Sequence, residues 1–339
     1  MSNVSQRNRS QAVKRPITQR DLARRLGVAQ VSVSRALAGD PAVAPALRER
    51  VLQAAGALGY RRNASAKAMR TGRHGAVGLL LGSEPQRSAV PSDLLWGLQE
   101  DLRAQGLRLT LGWLTDAEFS EPAVLAEWSV DGCLVFYTHD IPQGAQEQLA
   151  ARMPACLWLN ADLKKDCVLP DEIAASRDLG SRLAALGHRS VAFVGQGAGF
   201  THYAQGERRD GMRDHLAVAT VDTSSWGPAR SWIDAAEAWL KRERPTAVVA
   251  HEANCLLPVY AAALRLGLRI PSDLSLAVFT NQELGLPVTT MRVPSRDLAR
   301  RSVEGLLARI ERPGAHQPAV RVPLIFQDHG SLAPPPAKE

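Results

Sequence analysis

The chain has 339 residues, 45% of them hydrophobic, which is too long for one average domain and sufficient for at least one large core. Its net charge of +7 is unevenly distributed, because residues 1–75 carry 15 Lys or Arg against three acidic residues. The remainder carries a net charge of −5. A basic end on a mildly acidic body is typical of proteins that bind a polyanion. A solubilising tail would explain Arg7 to Arg15, but not the basic residues within predicted helices.

Several classes of protein are disfavoured by composition. The first fifteen residues are polar and lack the apolar core of a secretory signal, and no run approaches the length of a membrane span, so we expect a cytoplasmic protein. The cysteines lack C-x-x-C spacing, which favours buried thiols over a metal site. We therefore expect no metal and no cofactor. The cysteines are Cys133, Cys156, Cys167 and Cys255.

Three short helices are predicted near the start of the chain. Thr18 followed by Asp21 is typical of an N-cap with an acidic residue three positions later, and Gly27 ends this first helix. Apolar spacing predicts a second helix over residues 29–37 and a third over 45–58, with a proline at the start of the third.

From Ala76 onward, short apolar runs alternate with amphipathic helical stretches, which predicts βαβ units and a parallel sheet. About seven core strands over some 250 residues favour two doubly wound α/β lobes. The chain is expected to cross between them near Asn160 to Ser176 and again near Thr290. The predicted strands are residues 76–81, 107–114, 133–137, 155–159, 191–195, 247–250 and 276–279. The predicted domains are a disordered basic tail (1–15), a helix-turn-helix domain (16–60), a hinge helix or linker (61–75), the two-lobed domain (76–333) and a frayed tail (334–339).

The second predicted helix has a face that can read DNA bases. Its apolar stripe of Val33, Ala36 and Leu37 faces inward, so Val31 and Arg35 face outward with Ser34 and Ala38. An exposed arginine can bond the O6 and N7 atoms of guanine, and an exposed valine can contact a thymine methyl group. The alternative interpretation is that residues 18–58 form a generic three-helix bundle whose basic surface does not read DNA bases.

Polar side chains flank this face. The amide of Gln30 suits adenine, whereas Thr18, Ser32 and Ser34 are small donors suited to phosphates.

Residues 17–71 resemble the DNA-binding head and hinge of the lactose and purine repressor family, especially in DLARRLGVAQVSVSRALAG and RERVLQAAGALGYRRNASAKAMRTG. The likeness extends to about residue 333. It implies base reading by Gln30, Val31 and Arg35, and insertion of Met69 into the minor groove. It also implies a phosphate-contacting surface of Thr18, Ser32, Ser34, Tyr60 and Asn63. The departures Ala29, Ala38, Ala44 and Arg62 put individual phosphate contacts in doubt.

Six later segments resemble the sensor domain of the same family, which is itself similar to periplasmic binding proteins of type I. They are VDGCLVF (130–136), GHRSVAFVG (187–195), RRDGM (208–212), PTAVV (245–249), GLRIPSDLSL (267–276) and LPVTT (286–290). The resemblance implies an effector site between the lobes, with Arg208 as an effector-binding arginine and Trp226 as an aromatic platform. Packing remains an alternative role for Trp226.

The expected effector site departs from the family pattern. Aspartates that many relatives use to bind sugar hydroxyls are replaced by Asn160, Ala253 and Thr280. Glu252, Asn254 and Asn281 offer replacement polar contacts, although surface or helix-capping roles are equally compatible with the sequence. A standard sugar is therefore a less favoured effector, and a degenerate pocket remains an alternative.

An enzyme is not expected. Gly195-Gln-Gly-Ala-Gly199 resembles a dinucleotide loop, but Phe200 replaces the last glycine, and no catalytic residues are predicted. A transport-type solute-binding protein is the alternative for residues 76–333. The basic head and the missing export signal disfavour it.

The sequence predicts a homodimeric regulator, a repressor that binds a palindromic double-stranded DNA operator and responds to an unidentified small molecule. Residues 63–70 are too short for a stable isolated helix, so they are expected to fold on DNA, with a passive linker as the alternative.

Overall fold

Two units make up the chain, residues 1–73 and residues 74–339. The computed structural model describes residues 15, 17–61, 68–69, 71–83, 90–120, 128–137, 141, 143–197 and 202–337. The predicted basic tail lies almost wholly outside the described residues, as do residues 62–67, which include Asn63, and residue 70 of the predicted hinge.

The described part of the first unit contains three helices, α1 (Gln19–Leu26), α2 (Gln30–Ala38) and α3 (Pro45–Ala57). The predicted cap of α1 is present: Thr18 Oγ1 accepts from the backbone N–H of Asp21 at 3.3 Å, and the Asp21 carboxylate accepts from the Thr18 backbone N–H at 2.9 Å. These bonds satisfy amide groups that have no partner within the helix.

A small apolar core holds the three helices together. Leu22 of α1, Val33 of α2 and Val51 of α3 are fully buried and belong to the same cluster. Full burial of a side chain of this size stabilises by about 1.5–3 kcal/mol, so these contacts fix which face of α2 turns inward.

The described part of the second unit alternates strands and helices. Its strands are β1 (Ala76–Gly82), β2 (Arg108–Leu114), β3 (Gly132–Phe136), β4 (Cys156–Leu159), β5 (Cys167–Pro170), β6 (Ser190–Gly195), β7 (Ala217–Asp222), β8 (Ala247–Ala250), β9 (Ser275–Thr280), β10 (Thr289–Arg292), β11 (Val320–Val322) and β12 (Ile325–Gln327). Its helices are α4 (Ser92–Ala104), α5 (Asp116–Ser120), α6 (Ala145–Arg152), α7 (Glu172–Ala185), α8 (Tyr203–Asp210), α9 (Trp232–Glu243), α10 (Ala253–Arg265) and α11 (Ser295–Glu311).

Among the described residues these strands form two sheets of six, one in each lobe. Lobe 1 has the order β11-β5-β4-β3-β1-β2, and lobe 2 has the order β12-β10-β9-β8-β6-β7. Every pairing is parallel except β10 with β12. In the register of lobe 1, Leu79 lies opposite Leu111 on β2 and Leu134 on β3. The predicted fold class, a small helical head and two doubly wound α/β lobes, is confirmed.

Helices cover both faces of each sheet, so the central strands are apolar along their whole length. Every residue of β1 is buried, and its side chains contribute alternately to two clusters on opposite faces of the sheet. Lobe 2 has the same arrangement, with β8 contributing to a cluster on each face. This burial on both faces explains why these strands are continuous apolar runs.

The chain crosses between the lobes three times. The crossings lie between β5 and α7, between β10 and α11, and between β11 and β12 at residues 323–324. The first two fall where the sequence predicts them, and the third was not predicted. Strands β5, β10, β11 and β12 have three or four residues each and were also missed, since so short a run carries little periodic signal, although the equally short β4 and β8 were predicted. Strand β7 was missed because it is an edge strand with partly exposed side chains.

No helix among the described residues is long and apolar enough to cross a membrane. Those residues also contain no group of three His, Cys, Asp or Glu side chains placed to hold a metal ion.

Candidate DNA-binding surface and effector cavity

Helix α2 presents the face that the sequence predicts to be outward. Gln30 and Arg35 are exposed, and Val31 is 63% exposed although it is apolar. Ser32 and Ser34 are half-buried beside them. The exposure of Val31 shows that tertiary packing leaves this side of the helix open to contact.

The surroundings of α2 are strongly basic. In residues 15 and 17–61, eight arginines outnumber three acidic residues. A surface of this charge attracts the phosphate backbone of nucleic acid of any sequence.

Two of the three acidic side chains of the described head, Asp21 and Asp40, are held by hydrogen bonds. Bonds from Thr18 lower the pKa of Asp21, and a bond from the backbone N–H of Ala42, followed by one from Arg35, lowers the pKa of Asp40. Arg35 Nε donates to Asp40 Oδ2 at 2.7 Å, so Arg35 is already oriented within the head.

The other predicted DNA-contacting residues have different placements. The Thr18 hydroxyl donates to Asp21 Oδ2 at 2.7 Å, so its proton takes part in the helix cap. Tyr60 is half-buried against the apolar core of the head. Met69 is 90% exposed, and Asn63 lies outside the described residues. Contact of all these residues with DNA stays a prediction.

A cavity of about 550 Å³ lies between the two lobes, at the carboxyl ends of strands from both sheets. Ligands of open α/β sheets bind at this edge, because the loops that follow the strands supply polar groups there. Phe136 and Phe279 line it from opposite lobes. The cavity also contains five of the six side chains predicted to bind an effector: Asn160, Arg208, Glu252, Asn254 and Thr280.

Arg208 is buried and paired within lobe 2. Its Nε and Nη2 atoms donate to the two carboxylate oxygens of Glu172, both at 2.7 Å, and Nη1 donates to the His251 carbonyl oxygen at 2.7 Å. The guanidinium also lies 4.8 Å from the centre of the Phe279 ring. Because a buried carboxylate neutralises Arg208, this arginine presents less net charge to a ligand than its sequence alone suggests.

Glu252 is a half-buried carboxylate without a directly bonded cation among the described residues. The side-chain amide of Gln196 donates to it. Burial raises the pKa of Glu252, and this effect is partly offset by a bond from Asn254 and by the charge of Arg208. Glu252 precedes α10 but its side chain makes no capping bond, so its position is that of a cavity residue.

Trp226 does not line this cavity in the described structure. It is buried at the end of a short 3₁₀ turn, and its ring lies 6.2 Å from the ring of Trp239 on α9. Trp226 therefore packs in the core of lobe 2, which is the alternative role that the sequence left open. Its predicted contact with an effector gains no support from this placement.

Sequence reasoning missed several polar residues of the cavity, among them Glu172, Gln196, His202 and His251. Three of them follow the carboxyl ends of β5, β6 and β8 within one or two residues, so inspecting those positions would have found them. His202 Nδ1 accepts from the backbone N–H of Ala204 at 3.2 Å, which places the proton of the neutral ring on Nε2.

Helix α8 carries contacts that join the two lobes. The Tyr203 hydroxyl donates to Asn160 Oδ1 at 3.0 Å. Arg321 of β11 forms two bonds to the Glu207 carboxylate, each of 2.9 Å, and a third to Asp162 at 3.0 Å. Since Arg208 lies on the same helix, α8 connects the cavity to the cross-lobe contacts.

Comparison with known proteins agrees with this architecture. Residues 18–63 match the family described as bacterial regulatory proteins, lacI family, and residues 181–328 match the periplasmic binding protein-like domain. The HTH-type transcriptional regulator GntR of Escherichia coli (strain K12) is 28% identical over 315 residues, covering 88% of this chain and 92% of GntR. The HTH-type transcriptional repressor PurR of Vibrio vulnificus (strain CMCP6) is 26% identical over 319 residues, covering 87% of this chain and 92% of PurR.

The fold is also similar to that of a lac repressor dimer bound to operator and the anti-inducer ONPF. That structure has a TM-score of 0.75 and 20% identity, and the match covers 94% of this chain and 100% of that chain. Together, the helix-turn-helix head and the two-lobed domain define a DNA-binding transcriptional regulator with an effector-binding domain of the periplasmic binding protein type. Residues 18–63 thus match the lacI family, and the relatives named above, which match most of the chain, are transcriptional regulators.

Proposed function

We propose that this regulator is a repressor that binds a palindromic operator as a homodimer and is controlled by a small molecule in the cavity between the lobes. The observation that carries the proposal is the exposed face of α2, where Gln30, Val31 and Arg35 project from a basic head. Side chains of these types discriminate base pairs in the major groove, whereas the surrounding arginines supply affinity without sequence preference.

Selection of duplexes from a random DNA library tests this proposal. The full chain is expected to enrich a sequence with two inverted half-sites, because one recognition helix reads only a few base pairs. Arg35→Ala should lower affinity for the selected duplex by roughly 1–3 kcal/mol and abolish preference at one base pair in each half-site. Equal losses on selected and unselected DNA would contradict base reading by Arg35.

Two exposed apolar surfaces support assembly with a second copy. In lobe 1, Trp96 of α4 is 69% exposed and Trp113 of the edge strand β2 is 58% exposed. In lobe 2, Leu257 and Leu264 are exposed about two helical turns apart on α10. Large apolar side chains grouped on a surface mark protein interfaces.

Sedimentation velocity tests the role of these surfaces. Trp113→Asp combined with Leu257→Asp should shift the protein from dimer to monomer at micromolar concentration, because each charge would be buried in the interface. The control is Arg242→Asp, at an exposed position of α9. A monomeric wild-type protein, or a double variant that remains dimeric, would contradict the proposed interface.

The cavity favours a neutral or cationic polar effector over an anion. Arg208 is neutralised by Glu172, and Glu252 adds a half-buried carboxyl group with no directly bonded cation among the described residues. The volume of about 550 Å³ lies within the range of small-molecule sites.

A thermal-shift screen of the full chain identifies the ligand, since a ligand at a concentration of 100 times its Kd adds roughly 2.7 kcal/mol to the free energy of unfolding. The shift should disappear in Asn254→Ala, and a complete lack of hits would favour a degenerate pocket.

The segment around Met69 is proposed to order on DNA and to insert this side chain between base steps. The exposure of Met69 in the free chain supports this role. Met69→Ala should weaken operator binding and reduce DNA bending, while Met69→Leu should preserve both. Amide exchange of residues 62–71 should show protection only with operator present, and rapid exchange with and without DNA would favour a passive linker.

A further inference from the structure

The turn that follows α2 brings an acidic side chain onto Arg35. Helix α2 ends at Ala38, and Gly39 adopts a left-handed conformation with φ of 79°. The chain then folds back, so that the backbone N–H of Asp40 donates to the Arg35 carbonyl oxygen at 3.1 Å. In this position Asp40 Oδ2 accepts from Arg35 Nε at 2.7 Å. The contact is therefore a product of the helix end and not of a chance surface encounter.

Asp40 is itself held in place on three sides. Its Oδ1 accepts from the backbone N–H of Ala42 at 2.9 Å, and its carbonyl oxygen accepts from Arg48 Nη2 at 2.6 Å. The bonds from Ala42 and Arg35 lower its pKa, so it is ionised at neutral pH. A fixed carboxylate can orient a flexible partner, whereas a mobile one cannot.

We propose that Asp40 is a positioning residue that holds the Arg35 guanidinium for reading a guanine. With Nε bonded to Asp40, the Nη1 and Nη2 edge is left to face away from the carboxylate, and this pair of donors matches the O6 and N7 acceptors of guanine. This inference rests on the proposed base reading by Arg35.

Two physical effects of Asp40 oppose each other on DNA. A free arginine side chain loses rotamer entropy when it is fixed on a base, and Asp40 has already restricted it. At the same time, the negative charge of Asp40 repels the phosphates of any duplex. Removing the charge should therefore weaken discrimination at one base pair without weakening binding to unselected DNA.

Asp40→Asn tests these effects with nearly the same side-chain shape. The Ala42 N–H and Arg35 Nε donate to different carboxylate oxygens, and an amide replaces one of these oxygens with an NH2 group that cannot accept, so one of the two bonds is lost. Glu49→Gln is the matched control, because it removes the same charge from α3 of the head. Glu49 accepts a bond from Gln53 at 3.3 Å and makes no contact with Arg35.

The probe is a duplex selected from a random library by the wild-type chain, together with variants in which each base pair is replaced in both half-sites. Wild type should prefer a G·C pair at the position where Arg35→Ala shows no preference. Asp40→Asn should reduce that preference by about threefold to tenfold and leave other positions unchanged. Its binding to unselected duplex should match that of Glu49→Gln. In the Arg35→Ala background, Asp40→Asn should have no further effect on base preference.

Several results would overturn the inference. One is an unchanged preference in Asp40→Asn, and another is an equal loss at every base pair with a lower melting temperature, which would show a folding role. If wild type enriches a sequence but Arg35→Ala keeps every preference, Arg35 does not read bases and Asp40 has nothing to position. If wild type enriches no sequence, the proposed operator binding itself fails.

Discussion

The ion pair between Arg321 and Glu207 joins the two lobes, and its removal should change how often they separate. Arg321 lies on β11 of lobe 1 and Glu207 on α8 of lobe 2, with two bonds of 2.9 Å between them. Glu207→Gln removes the charge of one partner and keeps its size. Because the pair exists only when the lobes are close, its loss should favour the open arrangement.

The magnitude follows from the exposure of the pair and from the partners that Arg321 retains. The side chains of Arg321 and Glu207 are 32% and 20% exposed, which lies between surface pairs worth about 0–1 kcal/mol and buried pairs whose disruption costs about 3–5 kcal/mol. Arg321 keeps Asp162 at 3.0 Å and Asp171 at 3.9 Å after the change. We therefore expect a loss of about 1 kcal/mol, which is roughly a fivefold shift in the ratio of closed to open molecules.

Single-molecule fluorescence transfer between the lobes measures this ratio directly. Dyes can be attached at Gln99→Cys on α4 and Arg242→Cys on α9, both exposed positions. The native cysteines are buried, and burial raises the pKa of Cys255 to about 12, so little reactive thiolate forms at neutral pH. Glu237→Gln is the matched control, because Glu237 pairs with Lys241 within α9 and does not join the lobes.

The reasoning would be refuted if Glu207→Gln gave the same distribution of transfer efficiencies as wild type and Glu237→Gln. It would also be refuted if both variants opened the lobes equally, since a general change in charge would then be the cause. High salt should shift wild type towards the Glu207→Gln distribution, because the pair is partly exposed to solvent and is screened.

Three further predictions concern the second unit. Glu172→Gln leaves Arg208 buried without its carboxylate, so the free energy of unfolding in urea should fall by about 3–5 kcal/mol, and a loss below about 1 kcal/mol would contradict a structural pair. The pKa of Glu252 is raised above its ordinary value of 4.5, so its contribution to stability is present below pH 4.5 and is lost as the pH rises through the raised pKa. Glu252→Gln should remove this decline in melting temperature, and an identical pH profile in both proteins would refute it. A Cβ atom at Gly112 would lie 2.1 Å from the Trp128 ring, so Gly112→Ala should destabilise by about 1–3 kcal/mol. The effect of Gly112→Ala should shrink in a Trp128→Ala background, where an unchanged penalty would point to another cause.

The sequence alone was enough for features that depend on neighbouring residues. The cap of Thr18 and Asp21 and the outward face of α2 follow from spacing within one or two helical turns. The apolar runs of the central strands follow from burial on both faces of a parallel sheet. Five of the six effector residues that come from the family resemblance or from the positions around it line the cavity, and Asn160, Glu252 and Thr280 do so because residues at the carboxyl ends of parallel strands meet at one edge.

Only the tertiary structure decided which distant side chains meet. The bonds of Arg208 to Glu172 join residues 36 apart in the chain, and those of Arg321 to Glu207 join residues 114 apart. No periodic pattern encodes such pairs, because they depend on how helices and crossings are placed around the sheets. For the same reason, the sequence could not decide whether Trp226 contacts a ligand or packs in the core, since an indole ring can do either. The position of α9 placed it against Trp239.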